Sequence, residues 1–224
     1  MSLAGTDLSV KDQRVLSAIF GGGEEVSNND GNPRVLVDVS LPPDRHVSDL
    51  ERVEEHVRRE KEAIRLVEEK KEYALARQVF DEIIADDPMY ASAYNNRAQL
   101  LRMTKQTDDT EVMGDLQRAI ELAQPEANDD REIRVSKMQG TILCQAYTQL
   151  GGIYLALAEK AKADGKDYWG LEEKASQSLF YAGMFGNETA RALAAKVNPY
   201  AKLCGNMVKE ALERECSLFQ NQST

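Results

Sequence analysis

Three cysteines, two histidines and one tryptophan are all that 224 residues carry of these types. Cys144, Cys204 and Cys216 are odd in number and scattered. That excludes a disulfide framework and predicts reduced thiols in a cytoplasmic or nuclear protein, with Cys204 and Cys216 expected to be buried. His46 and His56 stand in no H-E-x-x-H or comparable ligand spacing and read as exposed, one in a linker and one on a helix. Positive charge is also short, 28 basic against 38 acidic residues, a net charge of −10. Nucleic acids and anionic membranes are held mainly by Lys and Arg, so neither is an expected partner. No apolar run approaches the roughly 18 residues of a membrane span. The start, Met1-Ser2-Leu3-Ala4-Gly5-Thr6-Asp7, has no basic then apolar region, and no signal peptide is expected. Gly21-Gly22-Gly23 follows no strand and precedes no Lys-Ser or Lys-Thr pair, so it is no phosphate loop. With no nucleophile–base set or carboxylate pair in view, a non-enzyme without cofactor or metal is expected.

Helix formers dominate what is present. Residues 1–47 form a separate arm, punctuated by Gly21-Gly22-Gly23, by Asn28-Asn29-Asp30-Gly31-Asn32-Pro33 and by Pro42-Pro43, all flexible or turn-forming. Two apolar islands interrupt it. Val15, Leu16, Ile19 and Phe20 share one face of a short helix. Val35, Val37, Val39 and Leu41 alternate as an extended segment does. No second strand is evident later, so this segment is expected to lie on helices or be disordered, not to join a sheet. From the capping-box pattern Ser48-Asp49-Leu50-Glu51 onward the chain reads as helical. Helices are expected over about 49–71, 73–86, 89–104, 109–123, 129–163 with a break at Gly140, 171–184 and 187–196. A last one follows Asn198-Pro199, where Asn caps and Pro takes the first helical position. Asp108-Asp109 and Asp129-Asp130 read as helix N-terminal charges.

The helix pairs repeat. Ala76, Phe80, Ile83 and Pro88 have the second-helix spacing of a 34-residue tetratricopeptide repeat, and Tyr94, Ala98 and Leu101 the first-helix spacing. Val112, Leu116 and Ala119 repeat the second helix. Tyr147, Leu150, Gly151 and Tyr154 repeat the first, and Ala175, Leu179 and Ala182 complete a third pair. The first helix is degenerate, with Ala63, Ile64 and Val67. Ile64 to Ala98 is 34 residues. Val112 to Gly151 is 17 longer than the pattern and Gly151 to Ala175 is 12 longer, so the repeat is interrupted after about 123. The expected fold is all-α: an α-α superhelix of three helical hairpins with a C-terminal capping helix and a largely irregular N-terminal arm. Repeats fall at about 57–90, 91–125 and 144–187, within a domain of 48–218 that includes capping helices over 187–218; a disordered tail, 219–224, follows.

Three blocks are specific: Ala91-Ser92-Ala93-Tyr94-Asn95-Asn96-Arg97-Ala98-Gln99, Asn198-Pro199-Tyr200-Ala201 with Leu203-Cys204, and Val15-Leu16-Ser17-Ala18-Ile19-Phe20. The chain resembles the tetratricopeptide repeat protein 36 family in these. The resemblance implies a non-enzymatic interaction protein with Hsp70-type chaperones among its partners.

Such arrays curve, with the first helix of each pair lining the concave side. Spacing puts Arg58, Lys61, Arg65 and Glu68 on that side in repeat one. Repeat two places Ser92, Asn95, Asn96, Gln99 and Arg102 there, and repeat three Gln145, Thr148, Gln149 and Gly152. Four basic residues against one acidic, in a chain of −10, point to an acidic or extended peptide as ligand, unless acidic side chains of the chain itself neutralise them. Chaperone-binding repeat domains are similar up to a point. Lys61 and Asn96 match their carboxylate clamp, whereas Arg65, Gln145 and Gln149 depart from it. The competing reading is a structural subunit whose groove is filled by its own arm.

Three further expectations concern the ends and the insert. Tyr168-Trp169 either staples the third hairpin or contacts a partner. Tyr200, Leu203, Met207, Ala211 and Leu212 form the apolar face with which the last helix caps the array. The Val15–Phe20 motif docks either on this chain, lying over the groove as a lid, or on a partner as a hook.

Overall fold

The computed structural model describes residues 33–105, 108–125, 132–205 and 207–210. The Val15–Phe20 motif, Asp129-Asp130, Ala211, Leu212, Cys216 and the tail beyond 218 lie outside the described residues. Six helices make three antiparallel hairpins: α1 (Leu50–Arg65), α2 (Tyr73–Asp86), α3 (Ala91–Thr104), α4 (Asp109–Ala123), α5 (Lys137–Ala163) and α6 (Trp169–Met184). Helix α7 (Glu188–Val197) packs on α6, and the chain is helical again over 199–205 and 207–210, together labelled α8. The all-α repeat superhelix expected from the spacing is the fold observed.

Small residues sit where helices cross. Ala63, Ala76, Ala98, Ala119, Ala175 and Ala182 are all fully buried. Gly151 on α5 lets Leu179 of α6 approach so closely that a Cβ there would lie 2.7 Å from its Cγ. Phe80, Ile83, Leu101, Val112, Leu116 and Leu150 fill the space between. Two apolar cores result, one around the first hairpin and one around the second and third, with Met138 touching both. Ile64, read as part of the first repeat, is exposed; Ala63 beside it takes the buried place.

Helix ends follow local chemistry. Asp49, not Ser48, caps α1, its carboxylate accepting from the Glu51 N–H at 3.0 Å. The chain leaves α1 through one π-helical turn, Leu66–Lys70, closed by Lys71 at φ 59°. Asp108 caps α4 and Asn187 caps α7. Asn198 Oδ1 accepts from the N–H groups of Tyr200 and Ala201, with Pro199 in the first turn as its position predicts.

Two expectations are overturned. The arm does form a strand: β1 (Arg34–Val37) pairs in parallel with β2 (Glu132–Val135), Val35 opposite Ile133 and Val37 opposite Val135. Accordingly helix five starts at Lys137, not 129. Ser136 and Gln139 form a reciprocal capping box there, and α5 passes Gly140 unbroken. Of the 17 extra residues, then, part is strand β2 and part the first turns of α5, while the later 12 are shared between the end of α5, which reaches Ala163, and the connection 164–168. After β1 the arm becomes a strap. The Asp38 N–H donates to Val135 O (2.9 Å), the Ser136 hydroxyl to Pro43 O (2.7 Å) and the Arg45 guanidinium to Gln124 O. The buried Asp44 carboxylate accepts from the His46 and Val47 N–H groups, and Val47 enters the first core. The strap thus runs from the third hairpin back to the first along one edge of the array.

Candidate binding groove

Helices α1, α3 and α5 form the inner layer, and polar side chains link them in series. Glu60 on α1 is buried and accepts from the Tyr90 hydroxyl at 3.2 Å and from Asn96 Nδ2 at 2.9 Å. Asn96 also lies 3.3 Å from the Ser92 hydroxyl. Asn95, 1% exposed, donates to Gln145 Oε1 at 2.9 Å and accepts from Gln149 Nε2 at 3.1 Å. Arg102 donates to Gln149 Oε1 at 3.4 Å. Asn187 at the start of α7 donates to the Thr148 hydroxyl at 2.9 Å. The result is a hydrogen-bonded amide ladder along the groove floor. Buried polar groups must be paired in this way, and each pair fixes the register of neighbouring helices.

The ladder divides the residues picked out by spacing. Asn95 and Gln149 belong to the floor, buried and saturated, and Asn96 is half-buried and bonded to Glu60. Lys61, Gln99, Arg102 and Gln145 remain exposed, as do Glu68, Arg58 and Arg65. The last two, however, are paired on their own helix: Arg58 with Glu55, and Arg65 with Glu62 at 2.8 Å. The Glu62 carboxyl is held below its usual range and the Arg65 guanidinium above its own by their mutual hydrogen bond. Two of the four basic residues are therefore neutralised within α1. The i,i+3 spacing of these pairs was visible in sequence.

Glu60 is not singled out in the sequence, and His56 is expected from it to be exposed. Burial pushes the Glu60 carboxyl above the usual carboxylate range, against the hydrogen bonds from Ser92, Tyr90 and Asn96. Burial and the neighbouring Glu60 raise the Tyr90 phenol as well. His56 is not an exposed helix residue. It is buried, packed on the Tyr90 ring at a centroid distance of 4.9 Å, with Nε2 2.8 Å from Asp87 Oδ2. That partner lies 31 residues away at the end of α2, and no local spacing signals it. His46 is exposed as expected. Cys144 is half-buried, its thiol pushed up by burial, but Cys204 is exposed, not a buried thiol. Among the described residues no group of three His, Cys, Asp or Glu converges to hold a metal ion, and no helix is long and apolar enough to cross a membrane.

Stacked hairpins with small residues at each crossing and a polar inner face define a tetratricopeptide repeat protein. Such repeat arrays in general bind other proteins along an extended concave surface. The chain is 31% identical to the tetratricopeptide repeat protein 36 homologue of Drosophila pseudoobscura over 211 residues, 92% of this chain and 95% of that protein. It is 30% identical to tetratricopeptide repeat protein 36 of Danio rerio over 206 residues, 92% of this chain and 94% of that one. The chain belongs to the tetratricopeptide repeat protein 36 family. It is also 36% identical over 167 residues to the L-tyrosine degradation gene cluster protein hmgX of Aspergillus fumigatus, spanning 60% of this chain and 64% of that protein. No family model matches the chain, and no solved structure matches it.

Proposed function

We propose that this protein is a non-catalytic adaptor that holds an extended segment of a partner protein in its inner groove. What carries the reading is the arrangement above the ladder. Lys61, Gln99, Arg102 and Gln145 are exposed along three consecutive inner helices, over a floor whose own polar groups are already paired. Exposed amides offer donors and acceptors to a peptide backbone, and Lys61 and Arg102 favour carboxylate side chains. The likeness to a protein named for an L-tyrosine degradation gene cluster supports a partner among the proteins that break down that amino acid.

An Hsp70-type tail ending in carboxylates is a second occupant, held less firmly. Of the two clamp matches Lys61 is exposed, whereas Asn96 already donates to Glu60. Arg65 is paired with Glu62, and Gln149 is buried. A groove filled by the chain's own arm has less support, because the strap at 34–47 bonds to Gln124, Val135 and Ser136 at the edge.

The test is fluorescence polarisation with labelled peptides, one set from tyrosine-degrading enzymes and one with acidic chaperone-type tails, on wild type and on Lys61→Ala/Arg102→Ala. Two lost charge-assisted hydrogen bonds at about 1.5–3 kcal/mol each predict a loss of affinity of a hundredfold or more. Affinity unchanged in the double variant would place the binding site elsewhere.

A further inference from the structure

Among the described residues, the far end of the array carries an exposed apolar face. On α8, Tyr200, Leu203 and Met207 recur at i, i+3, i+7 and are 50%, 47% and 62% exposed. Of the stripe expected to cap the array, these three are about half exposed or more, and Ala211 and Leu212 lie outside the described residues. The helix is held by other groups: Pro199, which is buried, and Lys202, whose ammonium meets the buried Glu172 carboxylate of α6 at 2.7 Å. Beside the stripe lies a cleft of about 240 Å³ lined by Lys162, Tyr168, Trp169, Glu172, Pro199, Lys202 and Leu203. Trp169, the only tryptophan, is 46% exposed there, so it is no more than half of the staple expected of it.

We propose that the occupant is the chain's own N-terminal motif, with Val15, Leu16, Ile19 and Phe20 seated on the Trp169–Tyr200–Leu203–Met207 face. Three observations converge. First, the motif is the complementary partner in kind: four large apolar side chains on one helical face, in a segment too short to be a stable helix alone. Second, the tether is of the right order of length. The strap pairs with β2, the strand that leads into α5, and the cleft lies by the C-terminal end of α5, a helix about 40 Å long for 27 residues at about 1.5 Å each. The thirteen residues 21–33 extend to about 43 Å at about 3.3 Å each. Third, charge favours this end. Residues 1–32 carry two basic and five acidic side chains, whereas 160–210 carry eight basic and six acidic in a chain of −10. An acidic arm is drawn there and repelled from the acidic middle of the molecule. The residues lining the seat include none of Lys61, Gln99, Arg102 and Gln145, so the motif and a groove peptide use different side chains.

Trp169 reports on this seat directly. In the full-length chain its emission is expected to be blue-shifted and weakly quenched by acrylamide. Ile19→Asp/Phe20→Asp should shift the emission to the red and at least double the quenching constant. Unchanged emission and quenching would overturn the proposal. A second measurement keeps the fold intact. In a Cys144→Ser/Cys216→Ser background, Ala18→Cys supplies one thiol and exposed Cys204 the other for a short bismaleimide. A cross-link within one chain is the expected product. A cross-link between two chains, or none, would overturn the seat.

Discussion

Glu60 shows how a single buried carboxyl ties helix register to pH. Its pKa is raised by burial, so the folded state holds the proton more firmly than the unfolded chain does. Its contribution to stability is therefore fully present below the ordinary Glu value and is lost as pH rises through the raised one. Glu60→Gln keeps an acceptor for Asn96 and removes this titration. Relative to wild type, the variant should gain stability from pH 4.5 to 7.5, read as the difference in urea midpoints at each pH. A constant difference would show that Glu60 titrates normally. At the opposite steric limit is Gly151. A methyl group there meets Leu179 Cγ at 2.7 Å and Cδ2 at 2.8 Å within a filled core. Gly151→Ala should destabilise by about 1–3 kcal/mol through overpacking. Calorimetry should show this as a drop in Tm of about 2–4 °C per kcal/mol for a chain of this size.

Elements were legible in proportion to how local their causes are. Ala76–Phe80 and Ala98–Leu101 lie on the same or adjacent turns, so spacing alone revealed the hairpins. Arg97 could be placed on α3 but not joined to Asp81 and Asp115, which it bridges from α2 and α4. The β1–β2 pair lay beyond reach for the same reason. Glu132-Ile133-Arg134-Val135 has only two apolar residues, and its partner is 98 positions earlier. The groove was half legible: spacing put residues on the inner face but could not tell which side chains the floor would consume. Ser136 joins the two kinds of information, because one hydroxyl caps α5 and bonds the strap at Pro43. Ser136→Ala should cost about 1–2 kcal/mol, the usual worth of an N-cap. It should also speed amide exchange at Asp38, whose N–H is bonded to Val135 O. Protection unchanged at Asp38 would mean that the strap is held without that hydroxyl.

At the scale of the molecule, a repeat array contacts only nearest neighbours, and its stability is close to a sum of units and interfaces. Here the strap breaks that rule. It pairs with β2 beside the third hairpin and delivers Val47 into the core of the first, while Met138 on α5 touches both cores. The first and third hairpins are thereby tied, and the first cannot leave without stripping Val47 of its core contacts. Cooperativity should follow from this tie. In the whole chain the three hairpins should unfold in one transition, with amides of α1 and α2 protected to about the same free energy as those of α5. Removing residues 1–47 should untie the first hairpin. Its ionic contacts to the second, Arg77–Glu111 and Arg97–Asp81, are partly exposed and contribute little. Native-state hydrogen exchange should then show α1 and α2 opening at markedly lower free energy than α5 and α6, and the denaturant transition should broaden. If the shortened chain keeps a single sharp transition and uniform protection, the amide ladder from Glu60 to Gln149 couples the hairpins by itself and the strap is only a cover.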